Sequence, residues 1–359
     1  MLHFLARRLF YGLLVMAGVV TLVFFLFNVL PGDPARMMMG QRADLGSVEA
    51  VRKEMGLDQP LGIQYLCFLN DLSPLSIHTA REESAFFLDA EKYTPYQVLW
   101  KTASGKSLVI KEPYLRRSYQ SRREVSDILA EAFPMTLLLA VASMLFATLL
   151  GVLIGTFTAL YRDTWFDRTT LVVSVLGMSL PSFFAAIIMA WIFAFLLADI
   201  TGLPMVGSLI MADDMGEGEY FAWNTLILPA LTLGIRPLGV IVELTRSSLL
   251  EVMGMDYIRT AYAKGLSKTR VIVRHALRNA LNPIVTAVSG WFASLMAGAV
   301  FVEYVFDWKG VGVVIVDALD KYDFPVVMGA VLFIAVILVL VNIFVDIIYA
   351  LLDPRVRLS

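Results

Sequence analysis

The sequence predicts an all-α polytopic membrane protein with six transmembrane helices and a small extracytoplasmic α+β lobe inserted between helices 1 and 2. Three observations carry this. The chain is 58% hydrophobic and only 17% charged, outside the usual composition of soluble domains. Its apolar residues gather into long windows, each of about the 20 residues that cross roughly 30 Å of hydrocarbon. The connections between those windows alternate between basic and acidic.

The windows are residues 9–30, 135–161, 169–198, 223–242, 283–302 and 324–345. Only 223–242 contains a charge, Arg236, and the notable polar group of 324–345 is Asn342. The first window exceeds the apolar run of about 7–15 residues in a cleaved signal peptide. It exits through Leu30-Pro31-Gly32-Asp33-Pro34, without a small-x-small cleavage pattern, and reads as a retained anchor. Arg7 and Arg8, Arg162 and Arg168, the connection 243–282, and Arg355 with Arg357 form the basic set. Residues 199–222 carry Asp199, Asp213, Asp214, Glu217 and Glu219 without any Lys or Arg. Basic connections stay inside, so both termini are expected in the cytoplasm. The long connection 31–134 then lies outside, because long segments translocate largely regardless of charge.

This divides the chain into a tail and first helix (1–30), an extracytoplasmic region (31–134), a transmembrane core (135–349) with a cytoplasmic loop at 243–282, and a cytoplasmic tail (350–359). Within 31–134, residues 51–72 read as a helix start, a break at Gly56-Leu57-Asp58-Gln59-Pro60, and an amphipathic helix. Residues 96–101 and 107–111 read as strands around a turn at 102–105, within a lobe spanning 73–112. Residues 124–132 lead through Pro134 into the second window.

Several chemistries are excluded. Gly105-Lys106-Ser107 matches the tail of a phosphate-cradling loop, but the position of its first glycine is Trp100, so no glycine-rich backbone can wrap a phosphate. The single cysteine, Cys67, permits no internal disulfide and reads as a packed residue. His3, His78 and His275 are scattered and suggest no metal cluster. No clustered nucleophile, base or carboxylate pair points to a membrane enzyme, and no cofactor is expected on this chain.

One segment stands apart. Residues 257–283 hold Arg259, Lys264, Lys268, Arg270, Arg274 and Arg278 and no acid. Residues 256–264 can form a short helix. Gly265 suits the left-handed position that ends helices, and Leu266 the apolar contact that follows it. Ser267 suits the N-cap of a second helix, which Asn282-Pro283 ends. On that second helix Arg270, Arg274 and Arg278 share one face, with Val273, Ala276, Leu277 and Ala280 on a neighbouring one. Anchoring against anionic lipid explains the charge, but not a glycine turn at a fixed place.

The segment resembles the cytoplasmic coupling loop of ATP-binding-cassette importer permeases, whose general pattern is E-A-A-x-x-x-G. Here Arg259, Thr260, Ala261 and Gly265 occupy those positions. The replaced glutamate and first alanine are typical of the dipeptide/oligopeptide/nickel branch, whose loop looks like Tyr257–Leu266 here. Further resemblance to that branch lies in Leu30-Pro31-Gly32-Asp33-Pro34, in Ser179-Leu180-Pro181-Ser182-Phe183-Phe184 and in Leu244-Thr245-Arg246-Ser247-Ser248. It continues in Val302-Glu303-Tyr304-Val305-Phe306, Gly310-Val311-Gly312, Val341-Asn342-Ile343-Phe344-Val345-Asp346 and Leu352-Asp353-Pro354-Arg355. The lobe at 73–112 departs from the branch.

The resemblance implies a type I importer permease in a bacterial inner membrane, carrying short peptides, nickel chelates or similar small polar solutes. Its implied partners are a second permease, two cytoplasmic ATPase subunits that bind ATP and magnesium, an extracytoplasmic substrate-binding protein and membrane lipid, with no nucleic acid. It assigns Tyr257, Arg259, Thr260, Ala261, Lys264, Gly265, Leu266, Ser267, Arg270 and Arg274 to ATPase coupling, and Arg236, Pro181 and Ser182 to the translocation path. Arg236 either faces a polar cavity or pairs with Glu243 or with an acid of a partner permease. Pro181 is expected to kink one long or tilted span. Glu303 is expected in a structural or gating contact, and Asn342 with Asp346 in interhelical hydrogen bonds. The competing function is an ion-gradient-driven secondary transporter, a class that usually carries internal repeats; no repeat is visible.

Overall fold

The computed structural model describes residues 2–29, 49, 52, 57–81, 84–103, 105–212 and 218–352. The motif at 30–34, the acids Asp213, Asp214 and Glu217, and the tail motif from Asp353 onward lie outside these residues. The chain forms two compact units, one of residues 132–313 with 338–359, the other of 2–131 with 314–337.

In the second of these units, α1 (Leu2–Val29) precedes α2 (Leu61–Leu72). Val23 and Phe24 of α1 and Phe68 of α2 bury together with Met328 and Leu332 of α14 (Phe324–Leu352). A three-stranded antiparallel sheet follows, of β1 (Leu75–Thr79), β2 (Tyr96–Lys101) and β3 (Lys106–Lys111), in the order β1-β3-β2. The β2–β3 hairpin lies around the turn at 102–105 where the sequence predicts it; β1 is an addition. Its Leu75 and Ile77 are exposed while Ser76 and His78 are buried, the period of two expected of a strand with one covered face. A short helix, α3 (Ala90–Tyr93), is capped by Asp89. The lobe's packing reaches back into α2. Asp71 is buried and accepts a hydrogen bond from the Tyr93 hydroxyl at 2.6 Å and from Lys92 at 3.0 Å. Asp323, at the entry to α14, is likewise buried and accepts from the backbone N–H of Tyr119.

In the other unit, α4 (Val125–Leu160, with Pro134 inside it) is followed by α5 (Trp165–Ser179) and α6 (Ser182–Met189), which continues as a π-helix over Ala190–Leu196. The two arms meet at 112°. The bend is sharper than the expected kink within one helix: the first helix ends at Ser179 and a second begins at Ser182. The physical reason is local. Proline pushes its predecessor out of the helical region, and Leu180 has φ −70° and ψ 130°.

A short helix α7 (Ala198–Thr201) and a hairpin of β4 (Ile210–Ala212) with β5 (Glu219–Phe221) follow. Next comes α8 (Ile227–Met253), which has a largely buried face. Glycines let it approach α4 closely: a Cβ on Gly155 would stand 2.6 Å from the Val242 carbonyl. The basic segment comes next, then α11 (Asn282–Gly298) and α12 (Val300–Phe306), bent by 60°, and α13 (Val311–Asp320).

Among the described residues, four helical stretches are long and apolar enough to cross a membrane: Ala6–Phe27, Val125–Leu160, Trp223–Met253 and Phe324–Val345. The two bent pairs, Trp165–Ser179 with Ser182–Leu196 and Asn282–Met296 with Val300–Phe306, raise the number to six if each is one crossing.

Candidate coupling surface and membrane path

The basic segment folds as a helix–turn–helix. Helix α9 (Asp256–Ala263) ends at Gly265, whose φ of +74° is the left-handed conformation the sequence predicts. The Gly265 N–H donates to the Tyr262 carbonyl at 2.9 Å and Leu266 N–H to that of Ala261 at 3.3 Å. Ser267 stands at the N-cap position, but its side chain makes no capping bond.

The second helix, α10, is not a uniform α-helix. It runs as Lys268–Arg270, a π-helical turn over Val271–Leu277, and Arg278–Ala280. The wider π turn shifts the register, and this corrects the predicted apolar face. Val271, Ile272, Ala276 and Ala280 are buried, whereas Val273 is 60% exposed.

The pair is seated on a core of its own. Ile258 and Ala261 of α9 and Val271, Ala276 and Ala280 of α10 bury against Ala159, Leu249 and Val252, with Leu266 packed at the turn. Asn279 donates to the Tyr257 hydroxyl at 2.8 Å, tying the two helices. Arg259, Lys264, Lys268, Arg270, Arg274 and Arg278 all remain exposed. The chain thus holds a cationic surface whose apolar side is already filled and whose basic groups point outward, Arg259 lying 3.5 Å from Asp256.

A second element was missed in the sequence. Arg246, on α8 just before the segment, donates through Nε to Asp167 Oδ1 at 2.6 Å and through a terminal nitrogen to Oδ2 at 2.8 Å. This is a bidentate fork, the strong geometry for an arginine–carboxylate pair. Asp167 is 2% exposed and also accepts from the Asp163 N–H at 2.8 Å. Thr164, three residues earlier, caps α5 by accepting from the Asp167 N–H. The spacing Thr164-x-x-Asp167 is a helix-start signal, and it was the clue available. The pair pins the turn between α4 and α5 to the base of α8.

The predicted path residues sit differently. Arg236 is exposed on α8, with its guanidinium 5.9 Å from the centroid of the Trp291 ring. Glu243 is exposed too, and no ion pair joins them among the described residues, so the internal pair with Glu243 is not formed. Pro181 is exposed and Ser182 half-buried at the break between α5 and α6. Neither is linked to Arg236 by a hydrogen bond among the described residues.

Glu303 is fully buried, as befits a structural contact. Its Oε2 accepts from the Gly312 N–H at 2.6 Å. Beside it, Thr136 accepts from the Val311 N–H at 2.9 Å, and Trp308 donates to the Met135 carbonyl at 2.9 Å. The glycine at 312 is required by this approach, since a Cβ there would lie 2.7 Å from the Glu303 carboxylate. Asn342 is exposed on α14 and forms no hydrogen bond with another helix of the chain among the described residues. The Asp346 side chain lies outside them.

Long apolar helices and a cationic helix pair define a helical membrane protein of the polytopic class. Residues 151–358 match the family described as binding-protein-dependent transport system inner membrane component, and residues 1–82 match its N-terminal component. The chain belongs to this family of permeases. It is 35% identical over 357 residues to the glutathione transport system permease protein GsiC of Salmonella typhimurium. It is 37% identical over 376 residues to the di/tripeptide transport system permease protein DppB of Pseudomonas aeruginosa. In both cases 99% of each chain is covered. An inward-facing structure of the MetNI methionine transporter aligns with a TM-score of 0.51 at 17% identity, over 63% of this chain and 96% of that one; the likeness is one of fold. The chain is therefore a permease subunit of an ATP-binding-cassette transport system, with the type I importer fold.

Proposed function

We propose that the chain forms half of the translocation path of an ATP-driven importer for short peptides or similar small polar solutes. The observation that carries the coupling role is the helix–turn–helix at 256–280, with its apolar side buried and its six basic residues outward. In this reading Tyr257, Arg259, Thr260, Ala261, Lys264, Gly265, Leu266, Ser267, Arg270 and Arg274 make up the segment that docks a cytoplasmic ATPase, and closure of two such ATPases moves the helices as rigid bodies. ATP and magnesium belong to those partners.

The chain crosses the membrane six times, with the bent pairs α5–α6 and α11–α12 each counted as one crossing. Both termini and residues 243–282 face the cytoplasm, and the lobe at 73–112 lies outside. A second permease completes the path, to which Arg236, Pro181 and Ser182 contribute, and an external binding protein delivers the cargo. Peptide cargo is supported by the named substrates of the two relatives, both of which are peptides or a peptide derivative.

The test is transport by the complex reconstituted with and without its ATPase subunits, with di- and tripeptides and glutathione as cargo. Uptake that needs ATP and both ATPases is expected. Uptake driven by an ion gradient without them would replace this reading by a secondary transporter.

A further inference from the structure

A groove of about 740 Å³ runs between α2 and β1, within the range of sites for small organic ligands. We propose that it seats an anionic phospholipid of the leaflet at the C-terminal end of α1, its acyl chain along Leu66, Leu75 and Ile77 and its phosphate beside Arg81 and Lys106. The proposal rests on the reading that α1 crosses the membrane.

The depth of the groove points to lipid. The apolar span of α1 is Ala6–Phe27. Within it Thr21 Oγ1 and the Tyr65 hydroxyl of α2 lie 2.7 Å apart, and the Phe24 ring centroid is 5.1 Å from that of Tyr65 and 5.6 Å from that of Phe68. Thr21 precedes Phe27 by about 9 Å of helix at 1.5 Å per residue. Helix α2 therefore lies alongside the last turns of a span, not above it. Leu66, next to Tyr65, is 54% exposed and lines the groove. One end of the groove thus opens at hydrocarbon depth, where a soluble partner cannot reach without entering lipid.

Charge and hydrogen bonding agree. Leu75 and Ile77 are exposed along the groove. Arg81 and Lys106 also line it, no carboxylate does so among the described residues, and neither cation has an ion pair among them. Glu82 and Glu83 fall outside the described residues. A guanidinium and an ammonium at one rim of an apolar trough match a phosphate above a chain. The alternative of a peptide adding as a strand is closed off. On the free edge of β1, the Ile77 N–H donates to Asn70 Oδ1 at 2.9 Å and the Thr79 N–H to the Phe86 carbonyl at 2.8 Å.

The experiment uses the assembled transporter in nanodiscs. Cys67 is the chain's one cysteine, so Cys67→Ser provides a background for a bimane label at Ile77→Cys. Nanodiscs are made with chain-brominated phosphatidylglycerol or chain-brominated phosphatidylcholine. Quenching at position 77 is expected, stronger with phosphatidylglycerol, with the difference lost in the Arg81→Glu, Lys106→Glu double variant. Millimolar inorganic phosphate should leave the quenching unchanged; its relief would reassign the two cations to free phosphate and overturn the lipid.

A label at Leu13→Cys, exposed midway along α1, is the control. Quenching at 13 without quenching at 77 overturns the groove proposal alone. No quenching at 13 removes the spanning reading and the proposal with it. Shielding of the unquenched position 77 by added binding protein would make the groove a protein-docking site instead.

Discussion

The glycine at 265 is the residue on which the proposed coupling surface turns. Its φ is +74°, and a Cβ placed on it would meet no atom within 4 Å. Crowding by neighbours is therefore not at issue; backbone conformation is. An L-residue in this region costs about 1–2 kcal/mol, and a β-branched one more. Gly265→Val should therefore leave the chain in the membrane, because α8 and α11 are untouched, while tilting α9 against α10. Co-purification of the ATPase subunits should drop several-fold. Unchanged co-purification and unchanged uptake would remove Gly265 from the coupling role. The Asp167–Arg246 fork belongs to the same scale. It joins residues far apart in the chain, so neither side chain alone announces it.

At the scale of elements, the π turn in α10 decides which residues face out. Deleting the exposed Val273 takes one residue from that turn and should return it to α-helix. Arg270 and Arg274 would then stand three residues apart on an α-helix, about 60° out of line with one another. The expected result is an inserted protein that binds its ATPases poorly, with Val273→Ala behaving as the unaltered chain. Normal coupling by the deletion variant would mean that the three arginines do not act as one surface.

The lobe carries a different element-scale prediction. Lys111 is buried, donates to the Asp71 carbonyl, and lies 4.8 Å from the Tyr93 ring centroid. Burial lowers its pKa to about 8, against the opposing pull of the Asp71 carboxylate. Between about 8 and the ordinary 10.5 the unfolded chain holds more protons than the folded one, so stability rises with pH across that window. The gap corresponds at most to on the order of 3 kcal/mol. Tyr93 acts the other way: burial, then Asp71, raise its pKa, so above about pH 10 ionisation favours the unfolded lobe. The urea midpoint of the lobe, followed by a fluorophore on Cys67, should climb from about pH 7.5 to 9.5 and fall beyond about 10.5. Lys111→Met should flatten the climb; a midpoint independent of pH in the unaltered chain would contradict the burial of a titrating lysine.

At the scale of the whole molecule, the single chain leaves Arg236 exposed within residues 223–242, where it is the one charged side chain. Facing lipid there would cost about 2.5–3.5 kcal/mol on insertion scales, and the Trp291 ring offsets only part of it. In the proposed assembly, a second permease across a polar path would remove that cost. Arg236→Ala should preserve assembly and lower uptake, or uncouple it from ATP hydrolysis, and Arg236→Lys should restore part by keeping charge without the planar fork. Uptake and ATPase rate measured on one reconstituted complex decide this. Normal uptake by the alanine variant, with position 236 labelled only by lipid-soluble reagents, would place the residue in lipid.

The sequence by itself determined the features that are written locally. Apolar windows marked the long helices, because crossing length is a property of consecutive residues. Gly265 marked its turn, because only the backbone of that residue is at stake, and the β2–β3 hairpin was marked by two short runs around a four-residue turn. Tertiary structure alone decided what depends on distant partners or on small changes of register. The 112° break at Leu180-Pro181 needed coordinates, because proline announces a disturbance but packing sets its angle. The π turn that holds the exposed Val273 lies where α10 seats on Leu249 and Val252, and the helical spacing of its residues does not carry it. Asp167 with Arg246, and Asp71 with Lys92 and Tyr93, are carboxylates whose burial is tolerated only beside those partners, and proximity across the fold is what a linear pattern does not carry.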